Sequence, residues 1–278
     1  MERIESPANG KVKLAASLAK SKGRQKERAF VVEGARLCEE ALKAAEKGDW
    51  SIRFGFITAA QLATERGGAL AAKALAQGLA LYETPGNVYN KAAQVVSPQG
   101  VLFVVECRRF APDDLMSACH DQKKAPLIAA LDGVQDPGNV GTILRTAEAV
   151  GATGAILLPG TADVFGEKTV RASMGAIFRL PVASLTVREL VSFVREHGLG
   201  LYATALDRNA RPHTSADFEE PSLIVFGREG SGVSKEILAA AGTRKIFIPM
   251  AGEAESFNVA QACAIVLYET FRQRRLKD

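Results

Sequence analysis

Asn139 and Arg145 carry the polar chemistry of the run DPGNVGTILRTAEAVGA, Asp136 to Ala152. An amide both donates and accepts hydrogen bonds. A guanidinium only donates, through a rigid fork that matches phosphates and carboxylates. Glu229 lies in a second block, FGREGSGVS, among Gly227, Gly230 and Gly232. Glycines there let a ligand approach the backbone closely. A third block, IPMAGEAESFNVAQ, gathers Glu255, Ser256 and Asn258 just before a helix start, where free backbone N–H groups are available. A carboxylate- or ribose-bearing ligand suits that end. Taken together, Asn139, Arg145, Glu229, Ser256 and Asn258 describe a small-molecule site built from loops. An ordinary turn with a surface arginine is the plainer reading of the first block alone.

These residues need elements to position them. The apolar run Leu127–Leu131 reads as a strand, and Pro137-Gly138 as a turn after it. Asn139 is expected to cap a helix whose apolar positions are Ile143, Ala147 and Val150. Arg145, six residues on, is then expected near two turns away, facing one cleft with Asn139 at the strand's carboxyl end. Asn258 and Gln261 resemble a capping box. Further strands are expected at Ala155–Leu158, Leu201–Ala205, Leu223–Phe226 and Lys245–Ile248. Helices are expected at Val140–Val150, Lys168–Phe178, Val187–His197, Lys235–Ala241 and Val259–Arg274. That alternation predicts an α/β fold, a parallel sheet with helices on both faces. Residues 1–106 also alternate helix and strand patterns and read as a smaller α/β domain. The polar stretch 107–124 reads as a linker, and 125–278 as the second domain.

Composition narrows the classes. Apolar residues make up 47% of the 278, enough for sizeable cores. Residues 1–30 hold eight basic and three acidic side chains, and residues 271–278 hold four basic and one acidic. Basic ends on a net charge of +4 point to a polyanion, nucleic acid first. Cys38, Cys107, Cys119 and Cys263 form no C-x-x-C pair, and Cys119-His120 stands alone, so no metal is expected. The residues MERIESPANGK lack an apolar stretch, and no run approaches a membrane span, so a cytoplasmic protein with no membrane partner is expected. The G-x-x-G-x-G spacing of the second block is not the dinucleotide fingerprint. Lys245 and Phe247 fall where its acidic residue belongs.

The three blocks, in order, resemble the SpoU (TrmH) family of RNA ribose methyltransferases in the SPOUT superfamily. They read Asn139-x-Gly141-x-x-x-Arg145, then Gly227-x-Glu229-Gly230-x-Gly232, then Ile248-Pro249-Met250 leading to Ser256-Phe257-Asn258-Val259. The stretch KTVRASMGAIFRLPV, Lys168 to Val182, is also similar, and Phe257 departs from the family's usual Leu. Ser6-Pro7, Lys13, Lys22-x-Arg24 and Phe30-x-x-Glu33-Gly34 resemble the substrate-binding domain of rRNA-modifying members, itself similar to a small ribosomal protein. The resemblance implies transfer of a methyl from S-adenosylmethionine to a ribose 2′-OH, with ribosomal RNA favoured. Transfer RNA as substrate, or a non-catalytic RNA-binding protein of the same fold, are the alternatives. It also implies a deep trefoil knot and a homodimer whose active site borrows from both subunits. Arg145, Asn139 and Glu229 would be catalytic. Gly227, Gly232, Ile248, Met250, Phe257 and Asn258 would hold the cofactor. Ser256 would touch the substrate, and Lys20, Lys22, Arg24, Lys26 and Arg28 would grip RNA phosphates.

Overall fold

The computed structural model describes residues 1–117 and 125–275. Cys119, His120 and much of the expected linker lie outside the described residues. The chain forms two compact units, one of residues 1–108 with 165–178, the other of 109–164 with 179–278.

The first unit holds a five-stranded sheet: β1 (Glu2–Arg3), β2 (Ala29–Glu33), β3 (Ile52–Ile57), β4 (Leu81–Glu83) and β5 (Val101–Glu106), in the order β1-β4-β3-β5-β2. The β5 strand runs antiparallel to both β2 and β3. Val12, Leu18, Phe56, Tyr89 and Val104 fill one core against it. Asn9 caps the helix Gly10–Ser17 by accepting from Lys11 N at 2.8 Å.

Residues 165–178 belong to this unit, although a division at one linker would leave them in the other. The physical reason is aromatic. Phe30 lies against Phe165 and Phe178, with ring centroids 4.9 and 6.4 Å away, and Trp50 Nε1 donates to Phe178 O at 3.1 Å. The single helix expected over Lys168–Phe178 is also broken. A helix spans Glu167–Ala172, Met174 turns left-handed at φ 49, and a 3-10 turn covers Ala176–Phe178. The Ser173 hydroxyl donates back to Val170 O at 2.7 Å, competing with helix continuation.

The second unit is built on seven strands, all paired in parallel: β6 (Leu127–Asp132), β7 (Gly154–Leu157), β8 (Val182–Ser184), β9 (Gly200–Thr204), β10 (Arg211–Pro212), β11 (Ser222–Gly227) and β12 (Arg244–Phe247). Their order is β10-β12-β9-β11-β6-β7-β8. The chain steps outward from β6 through β7 to β8, then resumes on the other side at β9. Later β11 fills the gap between β6 and β9. Every residue of β6 and β11 is buried, as parallel strands covered on both faces require. The short β10 escaped the sequence reading because it is two residues long and ends in proline, which an edge position tolerates. The helix after β6 spans Pro137–Ala149, and its cap is Asp136, which accepts from Asn139 N at 2.9 Å. Asn139 is therefore inside the first turn rather than the cap. Pro137, lacking an N–H, takes the first helical position.

Glu33, at the end of β2, yields a pH test. Its carboxylate accepts from Tyr89 OH and Gln94 N, both at 3.0 Å. Burial nevertheless pushes its pKa above 4.5, with those hydrogen bonds only partly offsetting the loss of water. The folded state then binds the proton more tightly than the unfolded state. This contribution to stability is full at low pH and is lost as pH rises through the raised value. The unfolding free energy of the native chain, relative to Glu33→Gln, is expected to fall in urea titrations as pH rises from the ordinary carboxylate range through the raised value. A pH-independent difference would contradict this reading.

Candidate functional site

Three strands of the second unit deliver their carboxyl ends to one cavity of about 530 Å³. Thr204 closes β9, Gly227 closes β11, and Ile248 follows β12. The site lies where strand order reverses around β11, the place where parallel sheets leave a crevice for ligands. Gly227, Glu229, Gly232, Ile248, Met250, Ser256, Phe257 and Asn258 all line it. Phe257 is half-exposed there.

The loop after β11 is held by its own backbone. Arg228 N donates to Gly232 O at 3.1 Å, and Gly232 N donates to Arg228 O at 2.9 Å. Gly230 and Gly232 both have positive φ, 84° and 68°. Gly227 is required for a different reason. A Cβ there would lie 2.1 Å from Gly232 C and from Val233 N, so the returning chain occupies that space. Close chain-to-chain approach, as well as any approach by a ligand, accounts for this glycine. Below it, the buried Asp132 at the end of β6 accepts from Ser234 N at 2.7 Å and anchors the loop's exit.

A hydrogen-bonded chain joins the three sequence blocks. Asn139 Nδ2 donates to Glu229 Oε1 at 2.7 Å, across 90 residues. Asn258 Nδ2 donates to Asn139 Oδ1 at 3.3 Å, across 119 residues. Asn258 Oδ1 in turn accepts from Ala260 N at 2.9 Å, capping the C-terminal helix Val259–Arg275. Glu229 is only an acceptor when ionised, so it fixes which end of the Asn139 amide faces it. Glu229 and Asn258 are exposed and Asn139 half-buried, which leaves the group open to a solvent-borne substrate.

Arg145 does not join this group. Six residues of helix rotate it about 120° from Asn139 and move it about 9 Å along the axis, because two full turns need 7.2 residues. It is exposed and does not line the cavity. Arg24 is a second correction. It is buried, and its Nη1 donates to Leu18 O at 2.8 Å and Ala19 O at 3.0 Å, which satisfies carbonyls at the end of the helix Gly10–Ser17. Lys20, Lys22, Lys26 and Arg28 are exposed around it. Two wall positions escaped the sequence reading, Asp207 and Arg228. Asp207 follows β9 and pairs with Lys245 at 2.6 Å, which holds its carboxyl below the usual range. The polar run directly after a strand, Asp207-Arg208-Asn209, was the available signal. Among the described residues no helix is long and apolar enough to cross a membrane.

Comparison with known proteins agrees with this geometry. Residues 126–268 match the SpoU rRNA Methylase family, and residues 9–102 match an MRM3-like substrate binding domain. The chain is similar to the 23S rRNA (guanosine(2553)-2'-O)-methyltransferase RlmP of Bacillus subtilis, 32% identical over 96% of this chain and 98% of that protein. It is also similar to an AdoMet-bound rRNA methyltransferase structure from Sinorhizobium meliloti, with a TM-score of 0.82 and 32% identity over 98% of this chain and 97% of that one. The SpoU methyltransferase AviRb from Streptomyces viridochromogenes, in complex with AdoMet, superposes with a TM-score of 0.80 at 25% identity, covering 97% of this chain and all (100%) of that one.

The loop geometry separates two kinds of glycine. Gly227→Ala is expected to cost about 3 kcal/mol or more, because backbone must move. Gly230→Ala, with open space but positive φ, is expected to cost about 1–2 kcal/mol. Urea unfolding of both variants checks the order, and equal losses would contradict it.

Proposed function

This chain belongs to the SpoU rRNA methylase family, and from that premise we propose that it methylates a ribose 2′-OH of ribosomal RNA with S-adenosylmethionine as donor. The observation that carries this reading is the Asn139–Glu229–Asn258 group at the mouth of the cavity. The cavity suits the cofactor. Leu238, Ile246, Ile248 and Val266 offer apolar surface to a purine, and the glycine loop lines the same cavity. Gly227, Gly232, Ile248, Met250, Phe257 and Asn258 are the residues that would hold it.

Bound there, S-adenosylmethionine supplies an electrophilic methyl carbon on a positive sulfur. The chain's task is to present the hydroxyl oxygen and stabilise it as its proton leaves. Asn139, oriented by Glu229, would hold the ribose together with Asn258, and Ser256 would touch the same sugar. Arg145 carries no acceptor, so it is a poor base. Its fitting role is to grip the adjoining phosphate and stabilise the developing alkoxide, the proton passing to that phosphate or to water.

Arg145 would complete the site of a second copy. Its exposure and its turn away from Asn139 support a homodimer with composite active sites. A deep trefoil knot in residues 125–278 is what membership of this family would bring. Residues 1–106 would bind the RNA, with Lys20, Lys22, Lys26 and Arg28 on its phosphates; Arg24 is excluded by its buried bonds. A ribosomal substrate would place this action in the cytoplasm.

Calorimetric titration is expected to show S-adenosylmethionine binding; failure to bind would contradict the reading. Arg145→Ala and Asn139→Ala should each abolish methyl transfer while leaving cofactor affinity within about three-fold. Co-refolding the two variants in equal amounts is expected to restore about a quarter of native activity, through mixed dimers with one intact site. No recovery would place both residues in the same chain's site.

A further inference from the structure

Arg228 lies beside Glu229 but reaches different neighbours. Its Nε donates weakly to Gly133 O, at 3.4 Å. A Cβ on Gly133 would lie 3.3 Å from both Nε and Nη2, and a Cβ on Gly160 would lie 3.2 Å from Nη2. The side chain thus rests across two glycines, both with positive φ, at the end of β6 and in the turn beyond β7. That surface is itself pinned. Thr161 Oγ1 accepts from Gly133 N at 3.1 Å and donates to Leu131 O at 2.8 Å, and Ala162 N donates to Val134 O at 2.9 Å. Arg228 is exposed, and no carboxylate among the described residues pairs with it.

Holding an unneutralised guanidinium in one place costs side-chain entropy, and a lone carbonyl contact at 3.4 Å returns little of it. Most of its N–H donors stay available for an anion. We propose that Arg228 binds a backbone phosphate of the RNA beside the target ribose and so sets the path along which the strand enters. Arg228 and Glu229 straddle the segment 133–139, one held over Gly133 and the other bonded to Asn139. A strand whose ribose sits at Asn139 would carry its phosphates past this segment. The cofactor's carboxylate is the other anion near the cavity. Arg228 also lines the cavity, but the carboxylate is the poorer match, because the Arg228 Nε and Nη2 lie over Gly133 and Gly160, which follow β6 and β7 and do not line that cavity. This inference rests on the reading that RNA reaches the Asn139 group.

The test compares the native chain with Arg228→Gln and Arg228→Lys. Binding of an unmodified 23S rRNA transcript is measured across a range of KCl, and binding of S-adenosylmethionine is measured separately. Arg228→Gln is expected to weaken RNA binding about ten-fold and to reduce the slope of log K against log salt by about 0.7–0.9, one phosphate's share. Arg228→Lys should restore the slope, and cofactor affinity should stay within about two-fold in both. An unchanged slope with normal cofactor binding would overturn the proposal while leaving the methyltransferase reading intact. A loss of cofactor affinity alone would assign the guanidinium to the cofactor carboxylate and overturn it too. A native chain that binds no S-adenosylmethionine would instead fail the earlier reading.

Discussion

Burial of β11 between β6 and β9 is the constraint on which the site depends. The strand pairs with β6 over its whole length, from Ser222↔Leu127 to Gly227↔Asp132, and with β9 from Ser222 to Val225. Side-chain direction alternates along a strand, so a slip of one residue would invert which face each residue covers. With both faces buried, that slip would also repack both cores. The register therefore ends β11 level with Asp132. From there the loop must turn back at once, and the backbone of 232–233 fills the space a side chain at Gly227 would need. Glu229 arrives beside Asn139 as a consequence of strand pairing made several residues earlier.

This dependence explains why the Asn139–Glu229–Asn258 group can be small and close to solvent yet ordered. Three polar side chains from distant parts of the chain meet by hydrogen bonds of 2.7 and 3.3 Å. Such bonds at a wet surface contribute little net stability, on the order of 1 kcal/mol each. They select an orientation for amides whose backbones the sheet and two helix starts have already placed. The cap of the C-terminal helix and the cap of the helix Pro137–Ala149 lie on either side of that meeting point. Asp136 and Asn258 thus link helix initiation to the site's geometry.

Much of this was legible in the sequence, for identifiable reasons. The central strands are short apolar runs bounded by Asp, Gly or Pro. The loops were readable as a site because glycine and polar residues recur after three strands. Local pattern failed where distant contacts decide. Nothing near Arg24 in the chain says that it turns inward to two carbonyls, since its neighbours Lys22 and Lys26 are exposed lysines of the same basic run. Residues 168–178 have helical spacing, yet Phe30 and Trp50, more than a hundred residues earlier, fix Phe178 in a 3-10 turn. The expectation that Arg145 turns to the same side as Asn139 rested on the helix start. Moving the cap from Asn139 to Asp136 puts both residues inside the helix, where six positions separate their faces.

The central claim is that the Asn139–Glu229–Asn258 group presents a ribose hydroxyl for methylation. It is tested most directly by mapping 2′-O-methyl groups across ribosomal RNA from cells that lack this protein and from cells supplied with either the native chain or Asn139→Ala. The account predicts that one ribose methylation is absent without the protein, returns with the native chain and does not return with the variant. A methylation map unchanged by loss of the protein, or one restored by Asn139→Ala, would contradict it.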